Sequence, residues 1–157
     1  LVEKTELVQA ASNFSPTSNR SEWLNFEGFQ VYLDAYNANP SSMKASLLGF
    51  RDFVEDSGHT LSDCCLIVGD MNELGPNEAQ LHIEVAEFIS ALAPAELHFV
   101  GRFYEEFKKG VSNNLIVIAH QSTAELKTLV SSNVAKHKYY FIMGSRSLQL
   151  EAILDIK

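Results

Sequence analysis

Apolar residues recur along this chain in two alternating periods. Near-continuous apolar runs at residues 30–34, 64–68, 96–100, 115–119 and 139–143 have the length and composition of buried strands. Between them the period lengthens. Met43, Leu47, Phe50 and Val54 are spaced by four, three and four residues, one face of a helix, and Leu81, Val85, Phe88 and Leu92 repeat that spacing. A shorter helix is predicted over 103–108, and a last one after Arg146 that carries Leu148, Leu150, Ile153 and Leu154. "EWLNF" and "FQVYLD", parted by Glu27-Gly28, predict a hairpin or two neighbouring strands. Ser122 and Glu125 have the spacing of a capping box. Ahead of all this, residues 2–11 predict a short helix, and "SNFSPTSNRS" reads as a linker.

Mostly apolar strands that alternate with helices imply a parallel sheet covered on both faces. The predicted fold is therefore an α/β, three-layer Rossmann-like domain. Its sheet is mostly parallel and carries an N-terminal hairpin or antiparallel edge strand. Ligands of such folds gather beyond the carboxyl ends of the strands. Three polar turns fall there: "DAYNANP", "GDMNELG" and "MGSRS".

Asn39 and Pro40 suit the N-cap and first position of a helix, which accounts for two residues of the first turn. Asp34, Tyr36 and Asn37 are left over. A carboxylate can accept both hydroxyls of a ribose, a tyrosine ring offers a flat face to a base, and an amide can bridge the two. Capping plus packing is the competing explanation. Arg20, at the end of the linker, is either a solvated group or a fork for phosphate oxygens or a carboxylate. Ser145 and Arg146 open the predicted last helix, where N–H groups attract anions, although Ser145 also suits a plain cap. Gly69 and Gly75 permit tight turns, and Asp70 faces the same edge as Asp34. His59, His82, His98, His120 and His137 lie on separate elements with no metal-ligand spacing, so each reads as a surface or half-buried ring. No metal site and no catalytic residue is assigned.

Composition narrows the classes. A length of 157 residues suits one hydrophobic core, and a formal net charge of −8 disfavours nucleic acid, whose phosphates need clustered Lys and Arg. No stretch has the length of a membrane span, and no leader pattern opens the sequence. Cys64 and Cys65 would leave a strand on opposite faces, which disfavours a mutual disulfide and predicts buried thiols in the cytoplasm. Neither a Gly-x-x-x-x-Gly-Lys-Ser/Thr loop nor a Gly-x-Gly-x-x-Gly run is present, so a main phosphate cradle would have to come from elsewhere.

"SPTSNRSE", "LDAYNANPSSMKASL", "LIVGDMNELG" and "FIMGSRSLQLEAIL" stand in the order and rough spacing of the C-terminal domain of the Mur ligases. They resemble most closely the branch that joins D-alanyl-D-alanine to UDP-N-acetylmuramoyl-tripeptide during peptidoglycan synthesis. The resemblance runs from Asn13 onward and implies that 1–19 is the tail of a central ATPase domain with its linker, and 20–157 the C-terminal domain. It also implies ATP and magnesium as needs of the full-length enzyme, neither held tightly by this fragment. Its partners would be the upstream ATPase and N-terminal substrate domains, the muramoyl-tripeptide nucleotide and the dipeptide. By the same resemblance Arg20 approaches the ATP phosphates, Asp34 holds the ribose, Tyr36 and Asn37 lie near the nucleoside, and Ser145 and Arg146 face the dipeptide. His82 matches a family position without an assigned role. The family often has lysine where this chain has Met143. The isolated fragment is expected to lack ligase activity, and a non-catalytic α/β interaction domain is the alternative.

Overall fold

The structure is a computed structural model that describes residues 20–126 and 136–154. The predicted helix at 2–11, most of the linker and the expected 1–19 boundary lie outside the described residues. Six strands form one sheet: β1 (Glu22–Phe26), β2 (Phe29–Asp34), β3 (Cys64–Gly69), β4 (Glu96–Val100), β5 (Val117–His120) and β6 (Tyr139–Met143), in the order β1-β2-β6-β3-β4-β5. Only β1 runs antiparallel, joined to β2 through a turn in which Gly28 takes φ +89°. The expected α/β fold is thus present, with the hairpin at one edge of the sheet.

Chain winding explains the layers. Helices α1 (Pro40–Asp56), α2 (Glu78–Leu92) and α3 (Tyr104–Gly110) connect strands that progress toward β5. Right-handed crossovers put all three on one face. On the other face Leu126, which follows β5, packs with Val31, Cys65, Ile67 and Ile142, whereas Met43, Leu47, Phe50 and Val54 of α1 pack with Cys64, Leu66 and Phe141 opposite. Cys64 and Cys65 are both buried free thiols on opposite faces, as strand alternation requires.

α1 buries the four residues that its spacing picks out. Asn39 caps it by accepting from the Ser42 N–H at 2.9 Å while Ser42 Oγ accepts from the Asn39 N–H at 3.1 Å, and Pro40 stands at its first position. Phe50 is fully buried between Trp23, Tyr32 and Phe141, where truncation to alanine typically costs about 3–5 kcal/mol.

α2 and α3 form where the sequence predicts them, but α2 is turned from its expected stripe: it buries His82, Val85, Ala86 and Ile89 fully, while Phe88 and Leu92 are only partly buried against the core. The cause is α3, whose Gly110 backs so tightly onto α2 that a β-carbon there would lie 2.2 Å from the Ile83 carbonyl and 2.8 Å from Ala86 Cβ. The helix after Arg146 is replaced by two 3-10 segments, Arg146–Leu148 and Leu150–Leu154, broken at Gln149 with φ +50°. Their leucines plug a notch formed by two glycines. A β-carbon on Gly69 would come within 2.3 Å of Leu148 Cδ1, and one on Gly144 within 2.7 Å of Leu150 Cδ1. Gly69 therefore serves close approach, while Gly75, at φ +74°, serves a turn. At the predicted capping box, Glu125 reaches back to the Gln121 N–H at 3.2 Å, one residue beyond Ser122.

Candidate functional site

β2, β6 and β3 are adjacent and parallel, so the turns that follow them share one rim. Hydrogen bonds join the turns directly. The Ser145 N–H donates to the Asp70 carbonyl at 3.0 Å, and the Asn72 N–H donates to Ser145 Oγ at 2.8 Å. Asn72 Nδ2 also reaches Ser147 Oγ at 2.8 Å. Sequence spacing alone could not reveal this stapling, because its partners meet only through strand order.

Two hollows open on the rim. One, of about 450 Å³, lies between Tyr36, Asn37, Asn72, Glu73, Arg146 and the Ser145–Ser147 turn. The other, of about 270 Å³, is lined by Arg20, Ser21, Asp34, Tyr36 and Asn37. Tyr36 and Asn37 belong to both. The Tyr36 ring is 43% exposed and carries the Arg20 guanidinium 3.5 Å from its centroid, with that of Arg146 at 6.0 Å. One aromatic platform thus gathers two cations on a chain whose formal charge is −8. All six residues singled out in the sequence line these hollows.

Their local settings refine the picture. Asp34 is nearly buried and accepts from the Ser21 hydroxyl at 3.0 Å. Burial pushes its carboxyl up from the usual aspartate value, opposed by hydrogen bonds from Ser21, the Arg20 charge and the Tyr36 N–H. Arg146 is more than half exposed and held loosely by Glu151 at 3.6 Å. Ser145 makes no side-chain cap; its hydroxyl accepts from Asn72 instead. Since a three-residue 3-10 segment follows in place of an α-helix, the guanidinium of Arg146, rather than a helix dipole, supplies the positive charge of this corner.

Asp70 and His82 brace the rim from beneath. Asp70 is buried and accepts from the N–H groups of Arg102 at 2.9 Å and Phe103 at 3.1 Å, tying β3 to the turn after β4. Gly101 makes room for it: with φ +132°, a β-carbon there would meet the Asp70 carboxylate carbon at 2.3 Å. His82 is fully buried, not half-exposed as the sequence suggested, and stacks on Phe103 at 4.3 Å. Its Nε2 accepts from the Met71 N–H at 3.0 Å and its Nδ1 donates to the Glu78 carbonyl at 2.7 Å, which fixes the neutral tautomer. Burial lowers its pKa accordingly, against weaker upward pulls from the Glu78 carbonyl and nearby acids. Met143 is fully buried among Tyr32, Leu66 and Phe141, so its side chain belongs to the core and lines neither hollow. Ser21, Asn72, Glu73 and Ser147 line the rim without having been assigned from the sequence; membership of the three polar turns was the available signal for Asn72, Glu73 and Ser147.

The mostly parallel sheet and its rim define a Rossmann-like α/β domain, and a family model narrows that class. Residues 19–146 match "Mur ligase, glutamate ligase domain", and the chain belongs to that family. It is 28% identical over 139 residues to the UDP-N-acetylmuramoyl-tripeptide–D-alanyl-D-alanine ligase of Rickettsia prowazekii (strain Madrid E), covering 88% of this chain and 30% of that one. To the enzyme of the same name from Bacillus subtilis (strain 168) it is 27% identical over 153 residues, covering 95% and 32%. In fold it is similar to MurF from Acinetobacter baumannii, with TM-score 0.74 at 20% identity, over 98% of this chain and 33% of that one. The chain spans about a third of the length of these relatives. Among the described residues no helix is long and apolar enough to cross a membrane.

Proposed function

We propose that this chain is the C-terminal domain of an ATP-dependent ligase that adds D-alanyl-D-alanine to UDP-N-acetylmuramoyl-tripeptide in the cytoplasm. The observation that carries the reading is the grouping of Arg20, Asp34 and Arg146 around Tyr36 at one rim, where Arg20 lies 3.5 Å and Arg146 6.0 Å from the ring. A nucleotide needs this set: a carboxylate for ribose hydroxyls, an aromatic face for the base and a guanidinium for phosphate.

In this reading Asp34 exchanges its Ser21 partner for the ribose diol, and Asn37 bridges ribose and base. Arg20 leaves the Tyr36 face to meet phosphate oxygens. Arg146, open toward the larger hollow, takes the carboxylate of the dipeptide, and the Ser145 hydroxyl, already fixed by Asn72, retains its own proton to donate. The reaction has two displacements. The tripeptide carboxylate takes the terminal phosphoryl group of ATP as ADP leaves; the dipeptide amine then forms the amide as phosphate leaves and the nitrogen sheds a proton. This domain orients the amine, and closing over ATP excludes water.

Magnesium does not fit this rim. Asp34 and Glu73 are the carboxylates lining the two hollows, and with Asp34 taken up by the ribose diol one carboxylate is left. Magnesium ligands and the phosphate loop are therefore assigned to the upstream domains, and the isolated chain is expected to be inactive.

The test is an assay of ADP release and amide formation, comparing the full-length protein containing this chain with the 157-residue chain alone. Asp34→Ala, Arg20→Ala and Arg146→Ala in the full-length protein should each lower turnover or kcat/KM about 100-fold, the scale of lost orientation. Arg146→Ala should act chiefly through KM for the dipeptide. Unchanged kinetics in all three variants, or ligation by the fragment alone, would reject the assignment.

A further inference from the structure

The face of the sheet on which Leu126 packs carries a row of thiol, carboxylate and imidazole side chains that the rim does not use. Parallel register places Cys65 opposite Glu96 and His98 opposite Ile118, so Cys65, Glu96, His98 and His120 all project to one face. One ligand atom from each of Cys65, Glu96 and His98 lies within 4.8 Å of the other two. Cys65 is 3% and His98 2% exposed, and among the described residues Cys65 Sγ has no hydrogen-bond partner.

We propose that Cys65 Sγ, Glu96 Oε1 and His98 Nε2 form a binding site for a zinc ion. Thiolate, imidazole and carboxylate are the donors that zinc takes, at about 2.0–2.3 Å, and three protein ligands leave a fourth position for solvent. The three donor atoms lie within 4.8 Å of one another, and His98 Nε2 and Glu96 Oε1 stand 2.8 Å apart.

The surroundings match what a zinc-bound imidazole requires. His98 Nδ1 lies 2.9 Å from His120 Nε2, and His120 Nδ1 lies 3.9 Å from Glu125 Oε2. With no metal, the His98 Nε2–H donates to Glu96 Oε1 and His98 Nδ1 accepts from the His120 Nε2–H. When zinc takes His98 Nε2, that imidazole shifts its proton to Nδ1 and donates to His120. His120 in turn carries its proton on Nδ1, facing Glu125. Outer partners of this kind orient a ligating histidine and raise its basicity. No net proton leaves the two imidazoles; one leaves the Cys65 thiol.

Two groups compete with the metal. Lys136 ion-pairs with Glu96 Oε2, and His137 Nε2 lies 3.0 Å from the same oxygen. Both hold the second carboxylate oxygen and leave Oε1 for the ion, and Lys136 is more than half exposed and free to swing into solvent. Zinc takes cysteine as the thiolate, so uptake releases the Cys65 proton and weakens in acid.

The test is titration of the tag-free 157-residue chain with cobalt(II), a spectroscopic stand-in for zinc, followed by competition with zinc. One equivalent should bind with a sulfur-to-cobalt charge-transfer band that zinc abolishes. Cys65→Ala and Cys65→Ser should lose the band, while Cys64→Ala, which removes the adjacent thiol on the opposite face, should keep it. His120→Gln should keep the band but weaken binding by about 10–100-fold, the usual effect of removing an outer partner. Circular dichroism and urea midpoints identify which variants are folded for comparison. Absence of a band in the folded parent chain, or its persistence in folded Cys65→Ala, would overturn the site.

Discussion

The backbone N–H of Asn72 donates to the hydroxyl of Ser145 across 2.8 Å, fastening the turn after β3 to the turn after β6. Ser145 is 5% exposed, so water does not readily replace this bond. Ser145→Ala should therefore leave an unsatisfied donor and cost about 1–3 kcal/mol. The urea midpoint of the isolated chain measures it. In the full-length protein the same substitution should raise KM for the dipeptide, since it loosens the turn that carries Arg146. An unchanged midpoint would remove the staple from the account.

His82 should make stability depend on pH. Its folded pKa lies below the ordinary 6.5 because burial disfavours the cation. Between the folded value and 6.5 the unfolded chain binds a proton that the folded chain does not, so stability falls as pH drops through 6.5 and goes on falling until the folded value is reached. Above 6.5 the term vanishes. His82→Gln should flatten its share of the acid slope in a series of urea titrations and also lower the plateau at neutral pH, because the Met71 N–H loses its imidazole acceptor. A wild-type slope retained in full by the variant would assign the effect to other groups.

Two glycines should respond in opposite directions to alanine. Gly49 lies exposed in α1 with nothing within 4 Å of an added β-carbon, and alanine there should stabilise by about 1 kcal/mol through helix propensity. Gly101 combines φ +132° with the Asp70 carboxylate at 2.3 Å, and alanine should cost at least about 1–3 kcal/mol through backbone strain alone. Paired thermal melts check both. Equal shifts would mean that the Asp70 bracket does not constrain the β4–α3 turn.

The strands and α1 were legible because their signals are local. Met43, Leu47, Phe50 and Val54 are the residues that α1 buries, and burial of one face writes itself as a single stripe. α2 is pressed from two sides, by the sheet and by Gly110 of α3, so its buried set turned away from the stripe that periodicity favours. After Arg146 the leucine spacing imitated a helix, yet those leucines are spaced to fill the Gly69–Gly144 notch. The six rim residues were found because polar side chains at strand ends have few structural uses. Asp70 and His82 were singled out in the sequence, but how they brace the rim was not legible, since their partners are main-chain N–H groups brought near only by folding. The Cys65, Glu96 and His98 set was hidden for the same reason, as its members come from two strands joined by register.

The opposite burial of Cys64 and Cys65 has a consequence for how substitutions combine. The sheet acts as a partition: Cys64 touches the three-helix side and Cys65 the side on which Leu126 and Leu150 pack. Sharing no side-chain neighbours, adjacent residues on one strand can behave as independent sites, with a coupling energy near zero in a double-mutant cycle. Residues far apart in the chain but on one side of the partition, such as Cys65 and Leu150, can still influence each other. Proximity along the backbone is therefore a poor guide to epistasis in this domain, and which side of the sheet a residue occupies is a better one.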